Sequence, residues 1–181
     1  MSTGALVFNI VFLALVALFL IFIGWLIWLF FTGRQRRGQQ QLAEFGSFPA
    51  PPADPGEFVV GPTECLYLGT TRVENWIDRV QVDDVGDRAP ATATGYTHGV
   101  AIERRGAATI WIPRDDLVAV RTTNRAASKV MHAGGILAFD WTLPSRAGVT
   151  TAIRADDKAV YPHWLVAFPG TAEPTDPNAA E

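Results

Sequence analysis

Residues 5–31 form an unbroken apolar run with no charged side chain, and Arg34, Arg36 and Arg37 follow almost at once. An uncharged stretch longer than about 18 residues predicts a membrane-spanning helix. At 1.5 Å per residue such a helix is about 40 Å long, against a hydrocarbon core of about 30 Å, so it spans with tilt or with its ends in the interface. Trp25, Trp28, Phe30 and Phe31 gather toward the arginine end, where amphipathic rings favour the headgroup layer. Asn9 is the strongly polar side chain of the run, and one amide contributes at most about 1 kcal/mol to helix pairing.

A cleaved signal peptide is the competing reading of the same residues. It requires a basic start, an apolar stretch of about 7–15 residues and a small-residue cleavage site. Met1 to Gly4 carries no Lys or Arg, and the run closes on Trp28-Leu29-Phe30-Phe31. A retained anchor is therefore expected, with residues 1–4 as a short external tail. Positive flanks stay cytoplasmic, which places the remainder of the chain in the cytosol at the plasma membrane.

After the anchor, residues 32–57 are basic and then rich in proline: Pro49, Pro51, Pro52 and Pro55 accompany Gly46 and Gly56. This composition predicts an extended tether, although Gln39 to Phe45 can prolong the helix by a turn or two. Residues 169–181 are small, polar and proline-containing, the composition of a disordered tail. One domain of modest size remains, residues 58–168. It carries equal numbers of acidic and basic side chains, which argues against a nucleic-acid partner, because phosphate affinity rests on clustered Lys and Arg. Cys65, the single cysteine, sits in an apolar stretch and is expected as a small buried hydrophobe.

Within the domain, residues 64–71 are strand-like. Trp76, Ile77 and Val80 fall at i, i+1 and i+4 behind Asn75, a pattern that predicts a short capped helical turn. Residues 91–96 and 100–104 are strands. Arg105-Gly106 turns back into residues 107–112, and Pro113 ends that strand. Residues 117–123 form another. Leu137, Phe139, Trp141 and Leu143 alternate with Ala138, Asp140 and Thr142, the clearest half-buried strand. After residues 149–154, Asp156-Asp157 precede Val160, Trp164, Leu165 and Phe168, a closing helix. About seven antiparallel strands and a C-terminal helix predict a small barrel or sandwich closed by that helix.

This order, with Tyr67-Leu68-Gly69-Thr70-Thr71, Asn75 to Val80, Gly99 to Arg104, Ile112-Pro113, Phe139-Asp140-Trp141 and Arg154-Ala155-Asp156 before His163-Trp164, resembles the pleckstrin-homology-like (PH-like) superfold. More closely it is similar to a family of membrane-anchored PH-like proteins of high-GC Gram-positive bacteria, often encoded among pyrimidine-biosynthesis genes. The resemblance implies an anchored binding domain and supplies no chemistry. Pro162 departs from the pattern, because a proline inside a helix costs about 3 kcal/mol; the helix either kinks there or begins there.

No catalytic constellation emerges. Cys65 has no partner signature with His98, His132 or His163, and those histidines lack metal-ligand spacing. Asp83-Asp84, Asp115-Asp116 and Asp156-Asp157 each flank a turn or helix start, where aspartate caps. Gly134-Gly135 is a loop pair. Neither a metal nor a cofactor is expected, and the chain is not read as an enzyme. The charge asymmetry is Arg121, Arg125 and Lys129, which lie with His132 between Asp116 and Asp140 without an acid. They are the candidate binding residues for an anion or a partner; anionic headgroups would attract each by about 1 kcal/mol. Arg34, Arg36 and Arg37 form the membrane-boundary flank. The sequence thus predicts a single-pass, non-catalytic protein displaying a cytosolic PH-like interaction domain. Its expected partner is a protein at the membrane, with anionic-lipid or other anion binding, or service as an auxiliary subunit of a transport or envelope complex, as alternatives.

Overall fold

The computed structural model describes residues 3–82, 84–130 and 134–170, and the chain divides into two compact units, Met1–Gln39 and Gln40–Glu181. Helix α1 spans Thr3–Phe45. Its stretch Ile10–Leu29 is long and apolar enough to cross a membrane. Apolar side chains are exposed all round that stretch, among them Leu13, Leu18, Phe19 and Ile21, the signature of a helix solvated by lipid or by other apolar surface. The helix runs to Phe45 and stops at Gly46, whose φ of +69° is a left-handed conformation that side chains resist. The Gly46 amide donates to the Leu42 carbonyl at 2.9 Å.

The second unit contains strands β1 (Phe58–Arg72), β2 (Asn75–Arg79), β3 (Ala89–Tyr96), β4 (Gly99–Arg104), β5 (Ile110–Pro113), β6 (Leu117–Thr123), β7 (Arg125–Ala126), β8 (Lys129–Val130), β9 (Ile136–Thr142) and β10 (Gly148–Ala155), then helix α2 (Tyr161–Ala167). One eight-stranded antiparallel sheet runs β5-β4-β3-β1-β10-β9-β6 with β2 also on β1, and β7 pairs with β8 apart from it. The fold class expected from the sequence is present: an antiparallel β domain closed by a short C-terminal helix. The long β1 organises it. Residues 58–67 pair with β3, residues 65–72 pair with β10, and register shifts between Phe58 and Val60, Val60 and Thr63, and Tyr67 and Gly69 mark irregularities in the strand.

Two expectations are corrected. Residues 75–80 are not a helical turn: β2 pairs with β1 through Thr71↔Arg79 and Arg72↔Asn75. Asn75 Oδ1 does accept a backbone N–H, from Ile77 at 3.0 Å, but it caps a bend into the strand. Three apolar positions in six residues cannot separate a 3.6 period from a 2.0 period. Here Val80 is buried while Ile77 is 57% exposed.

Residues 45–57 are not a spacer. Phe45 is buried in the core and lies under the Arg72 guanidinium, and Phe48 meets the Trp141 ring edge-on at 5.7 Å. The proline-rich passage is fastened to the β3–β4 turn: Glu57 N–H donates to Thr97 Oγ1, Thr97 N–H to the Glu57 carbonyl, and His98 N–H to the Pro55 carbonyl. Gly56 is required there, since a Cβ would fall 2.1 Å from Thr97 Oγ1. Prolines stiffen this strap; they do not free it.

The stretch after β6, to which the sequence pattern assigns no element, holds the β7–β8 hairpin. Pro162 resolves in favour of a helix that begins beside it. A single 3-10 turn at Lys158–Val160, with Asp157 accepting from the Ala159 amide, leads into α2, where Pro162 occupies the first turn. A missing N–H costs nothing there.

The core carries a directed chain of hydrogen bonds. Trp141 Nε1–H donates to Thr151 Oγ1 at 2.9 Å, and at the other end Tyr67 Oη donates to the Val85 carbonyl at 2.6 Å. Tyr67 must then accept from Thr70, and Thr70 from Thr151, both at 2.9 Å. Every hydroxyl proton in the chain is therefore assigned. The near-isosteric Thr151→Val leaves the buried Trp141 N–H without its acceptor and Thr70 without its donor. It is expected to lower stability by about 2 kcal/mol, read as a reduced urea midpoint with unchanged m-value.

Candidate interaction surface

The charged groups separate into those engaged by the fold and those presented by it. Arg104, on β4, has a side chain only 1% exposed. Its Nε donates to the Ala108 carbonyl, one terminal nitrogen to the Asp84 carbonyl at 2.7 Å and the other to Asp84 Oδ1 at 2.5 Å. Its guanidinium also lies over the Tyr67 ring. Asp84 Oδ2 accepts from the Ala108 amide at 2.8 Å. Burial alone would raise the Asp84 pKa, but that amide and the guanidinium hold its carboxyl below the usual range. The pair locks the loop before β3 onto the β4–β5 turn. Cys65 is likewise structural. Burial pushes its thiol up to about 12, and Sγ donates to the Ala91 carbonyl.

The three candidate binding residues are not grouped as one loop. Arg121 lies on β6 and pairs with Asp140 on the neighbouring β9, Nε to Oδ2 at 2.6 Å, while Thr150 donates to the same carboxylate. Asp140 bounds the acid-free stretch in the sequence, and the β6–β9 register brings it back onto Arg121. Arg125 is exposed on β7, and Lys129 occupies the position opposite Ala126 on β8. Arg34, Arg36 and Arg37 lie in α1. Of the other polar candidates, His132 and Asp83 fall outside the described residues, His98 sits 3.4 Å from the Asp54 carbonyl, and His163 lies on α2. Among the described residues no group of three or more His, Cys, Asp or Glu is placed to hold a metal ion.

Two surfaces that sequence reasoning missed are apolar. The first is a groove of about 580 Å³ between the start of β1 and α2, lined by Phe58, Val59, Pro62, His163 and Val166. Val166 is 81% exposed and Phe58 59%. The β1 wall is poorly suited to adding another strand, because Pro62 lacks an N–H and the register shifts on both sides of Val60 disrupt the ladder. The groove suits inserted side chains better. The second surface joins β2 to the β7–β8 hairpin. Ser128 ties them, its N–H to the Trp76 carbonyl and its Oγ to that of Ile77, and Ile77 and Val130 stand exposed. The available signal was an apolar residue whose exposure only the fold reveals, on β1 and α2 for the first surface and on short strands for the second.

The bent β1, the strands wound to either side of it and the closing α2 define a PH-like domain. The chain belongs to the family described as Bacterial PH domain-like, which it matches over residues 45–169. That span begins at the buried Phe45 and so takes in the strap. No curated protein matches the chain.

Proposed function

We propose that this chain is a non-catalytic interaction module held at the plasma membrane by its N-terminal helix, with the N-terminus outside and the PH-like domain in the cytosol. The observation that carries this reading is the uncharged Ile10–Leu29 stretch of α1 followed by Arg34, Arg36 and Arg37. Such a stretch can also serve as a cleaved leader, but its length, the absence of Lys or Arg before it and the aromatic residues at its end favour retention. The similarity to anchored PH-like proteins of high-GC Gram-positive bacteria supports the same arrangement.

The partner in this reading is a protein. The groove between β1 and α2 supports that choice, because its exposed Phe58 and Val166 offer apolar contact beside the polar His163. Engagement of Arg104, Asp84 and Cys65 by the fold supports a binding role over a catalytic one. Retention is tested by alkaline extraction of membranes containing the full chain, tagged after Glu181. The reading expects the full-size protein in the pellet. A product shortened by the length of the apolar stretch and released into the supernatant contradicts it.

A further inference from the structure

We infer that the strap is an intramolecular ligand: residues 46–57 lie in a seat of their own domain that the same segment of a second copy of this chain can take in exchange. The seat is built from groups outside the strap. At its first end the Phe48 ring meets the Trp141 ring of β9 edge-on at 5.7 Å, and Gly46 lies beside Ser145 in the β9–β10 turn. At its second end the strap contributes backbone groups to the β3–β4 turn. The Thr97 amide donates to the Glu57 carbonyl at 2.9 Å and the His98 amide to the Pro55 carbonyl at 3.2 Å, while the Glu57 amide donates to Thr97 Oγ1 at 3.0 Å. An aromatic anchor followed by main-chain hydrogen bonds is how a receptor holds an extended peptide. Trp141, Ser145, Thr97 and His98 do not line the groove between β1 and α2, so the seat is separate from it.

The strap is built to leave this seat and to refill it. Residues 46–57 belong to no strand or helix, and residues 50–54 are exposed, so release breaks no ladder. Each end carries a glycine in the left-handed conformation, Gly46 at φ +69° and Gly56 at φ +85°, where the backbone can swing without a side chain to oppose it. Phe45, just before the first hinge, is 1% exposed and stays in the core, and β1 begins at Phe58 behind the second. Between the hinges Pro49, Pro51, Pro52 and Pro55 fix their own φ and bias the residues before them toward extended backbone. A released strap therefore keeps nearly its seated shape, and little conformational entropy opposes its binding again. Exchange of an identical element between copies is a low-cost route to a dimer, because each contact of the closed form is reused. The chain's own strap holds the seat at low density through its high effective concentration, and crowded chains exchange.

The test uses the full chain in detergent micelles, with a fluorescein-labelled synthetic peptide of the sequence of residues 46–57 as the probe. Phe48→Ala combined with Gly56→Ala loosens the chain's own strap and leaves the seat intact. The first removes the ring that meets Trp141, and the second adds a Cβ that overlaps Thr97 Oγ1. By fluorescence anisotropy this variant should bind the peptide several-fold more tightly than the parent, whose seat is filled. Thr97→Val added to the variant, or Phe48→Ala placed in the peptide, should each weaken that binding several-fold. No binding by the folded double variant overturns the inference, as does binding that neither change weakens. Where circular dichroism shows the double variant unfolded, Gly56→Ala alone is read in the same way. Failure of both to fold makes the strap a fixed part of the core and overturns the inference. Parent chains carrying two different tags, mixed at high density, should co-purify in a yield that excess peptide lowers. No co-purification, or a yield the peptide leaves unchanged, overturns exchange between copies.

Discussion

Trp164→Ala is expected to lower the stability of the domain by about 3–5 kcal/mol, a large share of the roughly 5–15 kcal/mol by which domains are stable. Trp164 is fully buried on α2. It stacks on Phe168 with ring centroids 5.9 Å apart, meets Phe139 of β9 edge-on at 5.5 Å, and donates from Nε1 to Thr63 Oγ1 of β1 at 3.0 Å. One side chain thus joins the helix to β1 at the centre of the sheet and to β9 two strands away. Truncation empties the site and removes the anchor of a helix only seven residues long, too short to persist without tertiary packing. Urea denaturation followed by circular dichroism measures the loss. Trp164→Phe, which keeps the ring contacts and gives up the hydrogen bond, should recover most of it. A midpoint for Trp164→Ala close to that of the parent would show that α2 is peripheral to the fold.

Asp84→Ala is the second large effect, expected at about 3 kcal/mol. Breaking a buried pair costs about 3–5 kcal/mol because the surviving charge is left uncompensated. The lower end applies because the Asp84 side chain is 39% exposed and Arg104 keeps its two carbonyl partners. The Ala108 amide also loses its acceptor. The pH dependence has a definite sign. Asp84 is held below its ordinary pKa in the fold, so its contribution is complete above the ordinary carboxylate range and is lost as pH falls through the lowered folded value. Urea midpoints measured from neutral to acid pH should therefore converge for the parent and Asp84→Asn as the pH drops. Parallel curves would mean that the carboxylate does not stabilise the fold.

The fold was legible where the pattern was long. Leu137 to Leu143 alternates over seven residues, and β9 is buried along Ile136–Phe139 and at Trp141. The uncharged run before Arg34 needed only its length. Short elements were not legible: Trp76, Ile77 and Val80 fit either period, and pairing with β1 decided for a strand. The strap was misread for a different reason. Proline and glycine at positions 46–56 exclude helix and central strand, but they do not say whether the segment is free or folded back, and its partners Thr97 and Trp141 lie far along the chain. Arg121 shows the same limit on charge. Its acid, Asp140, is 19 residues away and became its partner only through the antiparallel β6–β9 pairing. Ile77 and Val130 escaped notice because exposed aliphatic side chains look in sequence like buried ones.

Topology is the measurement to make first on the full chain. Paired reporters fused after Glu181, an alkaline phosphatase active only outside the membrane and a fluorescent protein that matures only in the cytosol, place the domain on one side. The anchored arrangement with Arg34, Arg36 and Arg37 at the inner face predicts a fluorescent fusion and a silent phosphatase. An active phosphatase with a dark fluorescent fusion would put the PH-like domain outside and contradict the proposal of a cytosolic partner.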